Sequence, residues 1–231
     1  MYDNNAMTYR SADDTLAAMS RVYLHMMLAI VTSMVVSYGV GNSPELMQFF
    51  FTGWMKWVTI FAPLAAVFGV AAILGSNPPR ELAILTLHGF AALMGLSFAA
   101  IFVIYKLGSI VGAFMGGAVL FGTLSFYGFF TKKNLDSMGQ FLFVGLIAIV
   151  IASIINIFLA SSVMQMVISA CAIIVFLGLT AYDTQKIREA VSMADNDNAE
   201  ILGALTLYLD FINLFVNLLQ LIGVAPGSND D

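Results

Sequence analysis

From Ser137 to Tyr182 the chain runs for about 46 residues without one Asp, Glu, Lys or Arg. About 20 apolar residues in a helix cross the hydrocarbon core of a bilayer. This run is roughly twice that length, so it must turn back on itself. The LASSVMQ stretch, residues 159–165, offers the turn, which predicts helices near 138–159 and 163–186. Charges and turn residues bound five more apolar runs: Val22 to Val40, Val58 to Leu74, Leu82 to Tyr105, Ser109 to Phe130 and Ile201 to Val224. The expectation is an all-α membrane protein with seven crossings. The last run is the least apolar because of Asp210, Asn213 and Asn217, which leaves a re-entrant segment as its alternative.

Composition agrees. The chain is 60% hydrophobic and 10% charged, with a mean hydropathy of +0.92, whereas soluble domains carry about 25% charged residues. A net charge of −5 argues against a nucleic-acid partner, and the bilayer is the expected surrounding. Residues 1–21 read as a polar tail, 22–224 as one transmembrane domain and 225–231 as a short acidic tail. A cleaved secretory signal has a basic start and a shorter apolar core, so the first run is expected to stay as a helix. Cys171 has no partner and reads as a small core residue. His25 and His88 lack helical pairing, so no metal site is expected from the histidines, and no cofactor is expected. Gly108, Gly112 and Gly116 form a small-residue track that would let helices approach closely.

Lys and Arg favour cytoplasmic loops. With seven crossings, one side holds Arg10, Arg21, Arg80, Lys132, Lys133, Lys186 and Arg188, and the other only Lys56 and Lys106. The N-terminus is therefore expected to be cytoplasmic, with Trp54 and Trp57 at the opposite interface.

Two acids interrupt the apolar pattern. Asp183 stands in GLTAYDTQKI, about 10 Å back from a helix end near Ala190, and Asp210 about 15 Å into the last helix at 1.5 Å per residue. In a hairpin these depths nearly match, so the two acids can meet. Gly203, Thr206, Asp210, Asn213, Asn217 and Gln220 recur every three or four residues and share one helix face. Such a stripe must look into the bundle or a wet cavity. Two neighbouring carboxyl groups at low dielectric favour sharing one proton, and losing it should force their helices apart. That is a latch which pH opens. The alternative is structural: each acid is satisfied separately by a cation such as Arg80, Lys186 or Arg188.

GLTAYDTQKI and ALTLYLDFINLFVNLL resemble the last two helices of the Bax inhibitor-1 family in its bacterial branch. AALMGLSFAAIFVIY, AFMGGAVLFGTLSFYGFFTKKNLDSMG and IASIINIFLASS are similar to that family as well. The resemblance implies six helices wrapped around a central seventh, and a pH sensor whose aspartates match Asp183 and Asp210. It also implies a proton-regulated Ca²⁺ leak in the bacterial inner membrane, with Arg80 as the available counter-charge. A membrane-anchored AAA+ protease is a candidate partner.

Three functions remain open. In a pH-gated cation leak, Thr206, Asn213, Asn217 and Gln220 line the path, and the two aspartates bind Ca²⁺ transiently through oxygen. In the second reading the protein transports nothing and modulates a membrane protease or stress response. The third is an intramembrane aspartyl protease, which Tyr182–Asp183 suits, although LYLD stands where that class resembles GxGD and no PAL-like segment follows. The first two expect no enzyme activity.

Overall fold

The computed structural model describes residues 10–193 and 198–223. Among them are nine helices: α1 (Ala12–Gly41), α2 (Pro44–Phe51), α3 (Met55–Gly75), α4 (Arg80–Phe98), α5 (Ile101–Ile104), α6 (Leu107–Phe130), α7 (Asp136–Leu159), α8 (Ser162–Ser192) and α9 (Ala199–Ile222). With α4 and α5 taken as one, seven are long and apolar enough to cross a membrane. The described residues form no strand, and the chain is an all-α integral membrane protein.

Local chemistry sets the boundaries. The expected turn lies at Ala160, whose left-handed φ of 48° ends α7. Ser161 then caps α8 by accepting from Met164 N, while Asn156 Oδ1 accepts from Ser161 N and closes the turn. Ser11 caps α1, which begins at Ala12, so residues 12–21 are helix and not tail. Ser43 with Pro44 at the first helical position starts α2, a short helix the hydropathy pattern does not mark. The remainder of the acidic loop and the acidic tail, residues 194–197 and 225–231, lie outside the described residues.

Pro63 sits within α3 and supplies no N–H to the Thr59 carbonyl. The Ser97 hydroxyl, reaching across from α4, donates to that carbonyl. In a bilayer no water is available to satisfy a freed carbonyl, so such a proline depends on a neighbouring hydroxyl.

The helix α9 is the most buried span, with 61% of its most apolar stretch buried against 33% or less for the others. It packs against α1, α3, α4, α6 and α8, while α7 packs on α8. Its apolar face is core: Leu205, Phe211, Ile212, Phe215 and Leu219 are all buried. Phe211 lies edge-on to both Phe114 and Phe121 of α6. Tyr208 is fully buried and shares a hydrogen bond of 2.7 Å with Ser33 of α1, whose hydroxyl also reaches the Ala91 carbonyl of α4.

Close helix approach falls elsewhere than expected. A Cβ on Gly108, Gly112 or Gly116 would meet nothing within 4 Å, so that track faces outward. The crossings are at Gly95, whose Cβ would lie 2.5 Å from the Ser33 carbonyl oxygen, and at Gly128, backed onto Ala181. Cys171 likewise sits on the exposed face of α8 and not in the core. Lipid tails are as apolar as leucine, so an apolar residue carries no mark of which way it points.

Candidate functional site

The longer α8 sets Asp183 nine residues before its end at Ser192, a depth of about 14 Å, and Asp210 stands eleven residues after Ala199, about 17 Å in. Both acids lie somewhat deeper than their spacing in the sequence suggested. The matched depths bring the two carboxyl groups within hydrogen-bonding reach. Asp210 is 5% exposed, and no donor among the described residues reaches its Oδ2; Asp183 is half-buried. Ionised carboxylates only accept hydrogen bonds. A bond between two of them therefore requires a proton, and this geometry accommodates one held by the pair.

The acids border a cavity of about 850 Å³ between α3, α4, α7, α8 and α9. Thr206 and Asn213 of the polar stripe line it; Asn217 and Gln220 do not. Asn213 and Asn217 donate their amide N–H to the carbonyls of Leu209 and Asn213 in their own helix, so the amide oxygens are the polar atoms that remain. Thr206 likewise returns its hydroxyl to Leu202 O. Gln220 instead accepts from Gln165 Nε2 and Ser169 Oγ of α8, both at 2.7 Å, and Gln165 also accepts from Asn156 of α7. This neutral network ties α7, α8 and α9 together at the end of the bundle far from the arginines.

Toward the basic end apolar side chains pack between α8 and α9. A Cβ on Gly203 would lie 2.6 Å from Ile187 Cγ2, so α8 and α9 touch directly there, and Leu207, Ile201 and Val191 are buried around the contact. Beyond it lies a residue that the sequence pattern did not single out. Glu200, 4% exposed in the first turn of α9, accepts from Arg21 Nε and Nη2 at 2.6–3.0 Å and from Arg80 Nη2 at 2.9 Å. Arg10 approaches to 3.8 Å. Asn198, just before the helix, donates to Asn77 Oδ1 and Pro78 O.

Arg80, expected as a counter-charge to the aspartates, is thus engaged by Glu200. The other basic candidates are occupied too. Lys186 pairs with Asp136 at 2.5 Å and with Glu189 at 2.9 Å, and Arg188 donates to the Phe129 carbonyl. Among the described residues no Lys, Arg or His lines the cavity. Next to the pair, Thr184 joins Ser125 and, through it, Tyr23, so α8 is linked to α6 and α1. His88 bonds to Thr32. One signal for Glu200 was available: an acid just inside an apolar helix, on the side that holds all four arginines.

A seven-helix bundle with paired intramembrane acids on its last two spans defines a class of integral membrane protein, and comparison with known proteins gives its family. The profile described as Inhibitor of apoptosis-promoting Bax1 matches residues 16–226. The chain belongs to that family, the Bax inhibitor-1 family. It is 38% identical over 212 residues to the inner membrane protein YbhL of Escherichia coli K12, covering 89% of this chain and 90% of YbhL. It is also 36% identical over 212 residues to a Rickettsia prowazekii protein, covering 89% and 88%. Against YrjE of Lactococcus lactis it is 33% identical over 242 residues, and the whole of both chains is covered.

Proposed function

We propose that this protein is a pH-sensitive cation leak, passing Ca²⁺ across the bacterial inner membrane, and that the structure is its closed form. The observation that carries the reading is a pair of carboxyl groups within bonding reach, bordering a cavity that no basic side chain among the described residues lines. The inner-membrane setting follows YbhL, and the arginine-rich end is taken as cytoplasmic by the distribution of Lys and Arg.

With one proton between them, the acids hold α8 against α9. When that proton leaves, two unit charges about 4 Å apart repel by roughly 4 kcal/mol at an effective dielectric of 20. That is about a thousandfold in an open-to-closed ratio, since each 1.4 kcal/mol is tenfold. The contact that must yield is Ile187 on Gly203, which lies between the pair and the basic end. The ionised acids and the Asn213 oxygen then offer the oxygen ligands that Ca²⁺ prefers. The titration belongs to the pair and not to either acid alone.

The test is Ca²⁺ flux into liposomes across a pH series. Flux should rise with pH in the wild-type chain, and Asp183→Asn or Asp210→Asn should remove that dependence. Identical pH profiles for all three proteins would end this reading. Absence of flux at every pH, with a membrane protease co-purifying, would favour the modulator instead.

A further inference from the structure

The cavity beside the acids is built for more than a metal ion. Its volume of about 850 Å³ falls within the roughly 300–1,000 Å³ of small-molecule sites. Leu64, Phe90, Phe143 and Leu146 give it apolar walls, and among the described residues Asp183 and Asp210 are the only charged ones along it. A hydrated ion would satisfy the acids and leave those walls wetted. The helices α3 and α7 both border the cavity, but each packs on another neighbour, α3 on α4 and α7 on α8. At this gap Leu64 and Phe143 are 64% and 59% exposed, so its lips belong to the hydrocarbon.

We propose that this cavity binds lipophilic organic cations, a protonated amine on an apolar body, which enter from the bilayer between α3 and α7 and set the ammonium on the acid pair. The proposal uses the same acids as the leak but does not require the protein to conduct. An ammonium brings N–H donors to an acid pair that lines the cavity and whose Asp210 Oδ2 no donor among the described residues reaches. Charge balance also separates the two ligands. An acid pair that keeps one proton carries one negative charge, which a monovalent amine neutralises; Ca²⁺ needs both protons gone. An amine therefore occupies the latched form and blocks the leak. The apolar body gains little over lipid, because lipid tails are as apolar as the walls. It delivers the ligand, and the charge pair holds it.

The test uses the full chain in phosphatidylcholine nanodiscs, titrated with N-dansyl-1,6-hexanediamine and with uncharged N-dansylhexylamine, and corrected against empty nanodiscs. The amine should bind saturably at one site per chain, and the neutral probe should only partition. The double variant Asp183→Asn/Asp210→Asn, which removes both carboxylates, should weaken amine binding tenfold or more, whereas either single variant keeps one carboxylate for the ammonium. Equal behaviour of the two probes on the wild-type chain overturns the proposal without recourse to any variant. So does amine binding that the double variant leaves unchanged. Ca²⁺ flux without saturable amine binding refutes this site and leaves the leak standing. Amine binding without flux does the reverse.

Discussion

Replacing Glu200 by Gln tests whether the last helix is anchored at its base. In the wild-type chain this carboxylate accepts three contacts from Arg21 and one from Arg80, and so fastens α9 to α1 and α4. Removing one partner of a fully buried ion pair costs about 3–5 kcal/mol, while exposed pairs contribute about 0–1 kcal/mol. Glu200 itself is buried, but the Arg21 and Arg80 side chains are 45% and 43% exposed and can rehydrate once the charge is gone. Glutamine keeps the shape and one acceptor oxygen. The expected loss is therefore intermediate, about 2 kcal/mol. In chains of this size each kcal/mol moves the melting temperature by about 2–4 °C. Calorimetry of the purified protein should then place Glu200→Gln roughly 4–8 °C below wild type. Half-exposed arginines feel added salt, so about 1 M NaCl, where the Debye length is near 3 Å, should narrow the gap. A variant melting within about 1 °C of wild type at low salt would refute the argument, because α9 would then be held by its apolar face alone.

Two further outcomes follow from the packing and the amide network. Gly95→Ala places a Cβ 2.5 Å from the Ser33 carbonyl oxygen and 2.8 Å from its Cα. Both atoms are backbone, so α1 and α4 must part, at a cost of about 1–3 kcal/mol that a thermal melt will read. Gln220→Leu removes the acceptor shared by Gln165 and Ser169. If that network closes the opposite mouth, Ca²⁺ flux at a pH where wild type is closed should rise, and unchanged flux would assign the network to packing alone.

The paired acids were legible because a helix has one period. Asp210, Asn213 and Thr206 share a face whatever surrounds them, and a hairpin between α8 and α9 brings Asp183 to nearly the same depth. The partners of the basic residues were not legible. Nothing in the order of the chain says that Arg21 and Arg80, 179 and 120 residues from Glu200, meet at the same carboxylate. Nor does it say that Lys186 is taken by Asp136.

What the amino-acid order determined alone is the number of spans, their turns and the stripe along the last helix. Hydrocarbon admits only stretches of chain that satisfy their own backbone, so charges and caps mark where each one ends. Which apolar faces meet each other was left to the tertiary structure. Gly95 and Gly128 carry the close crossings while Gly108, Gly112 and Gly116 look outward, and the phenylalanines of α9 are core while Cys171 is not. Inside and outside are equally apolar in a membrane protein. The choice between them rests on shape and on a few polar contacts, which exist only once all the helices are in place.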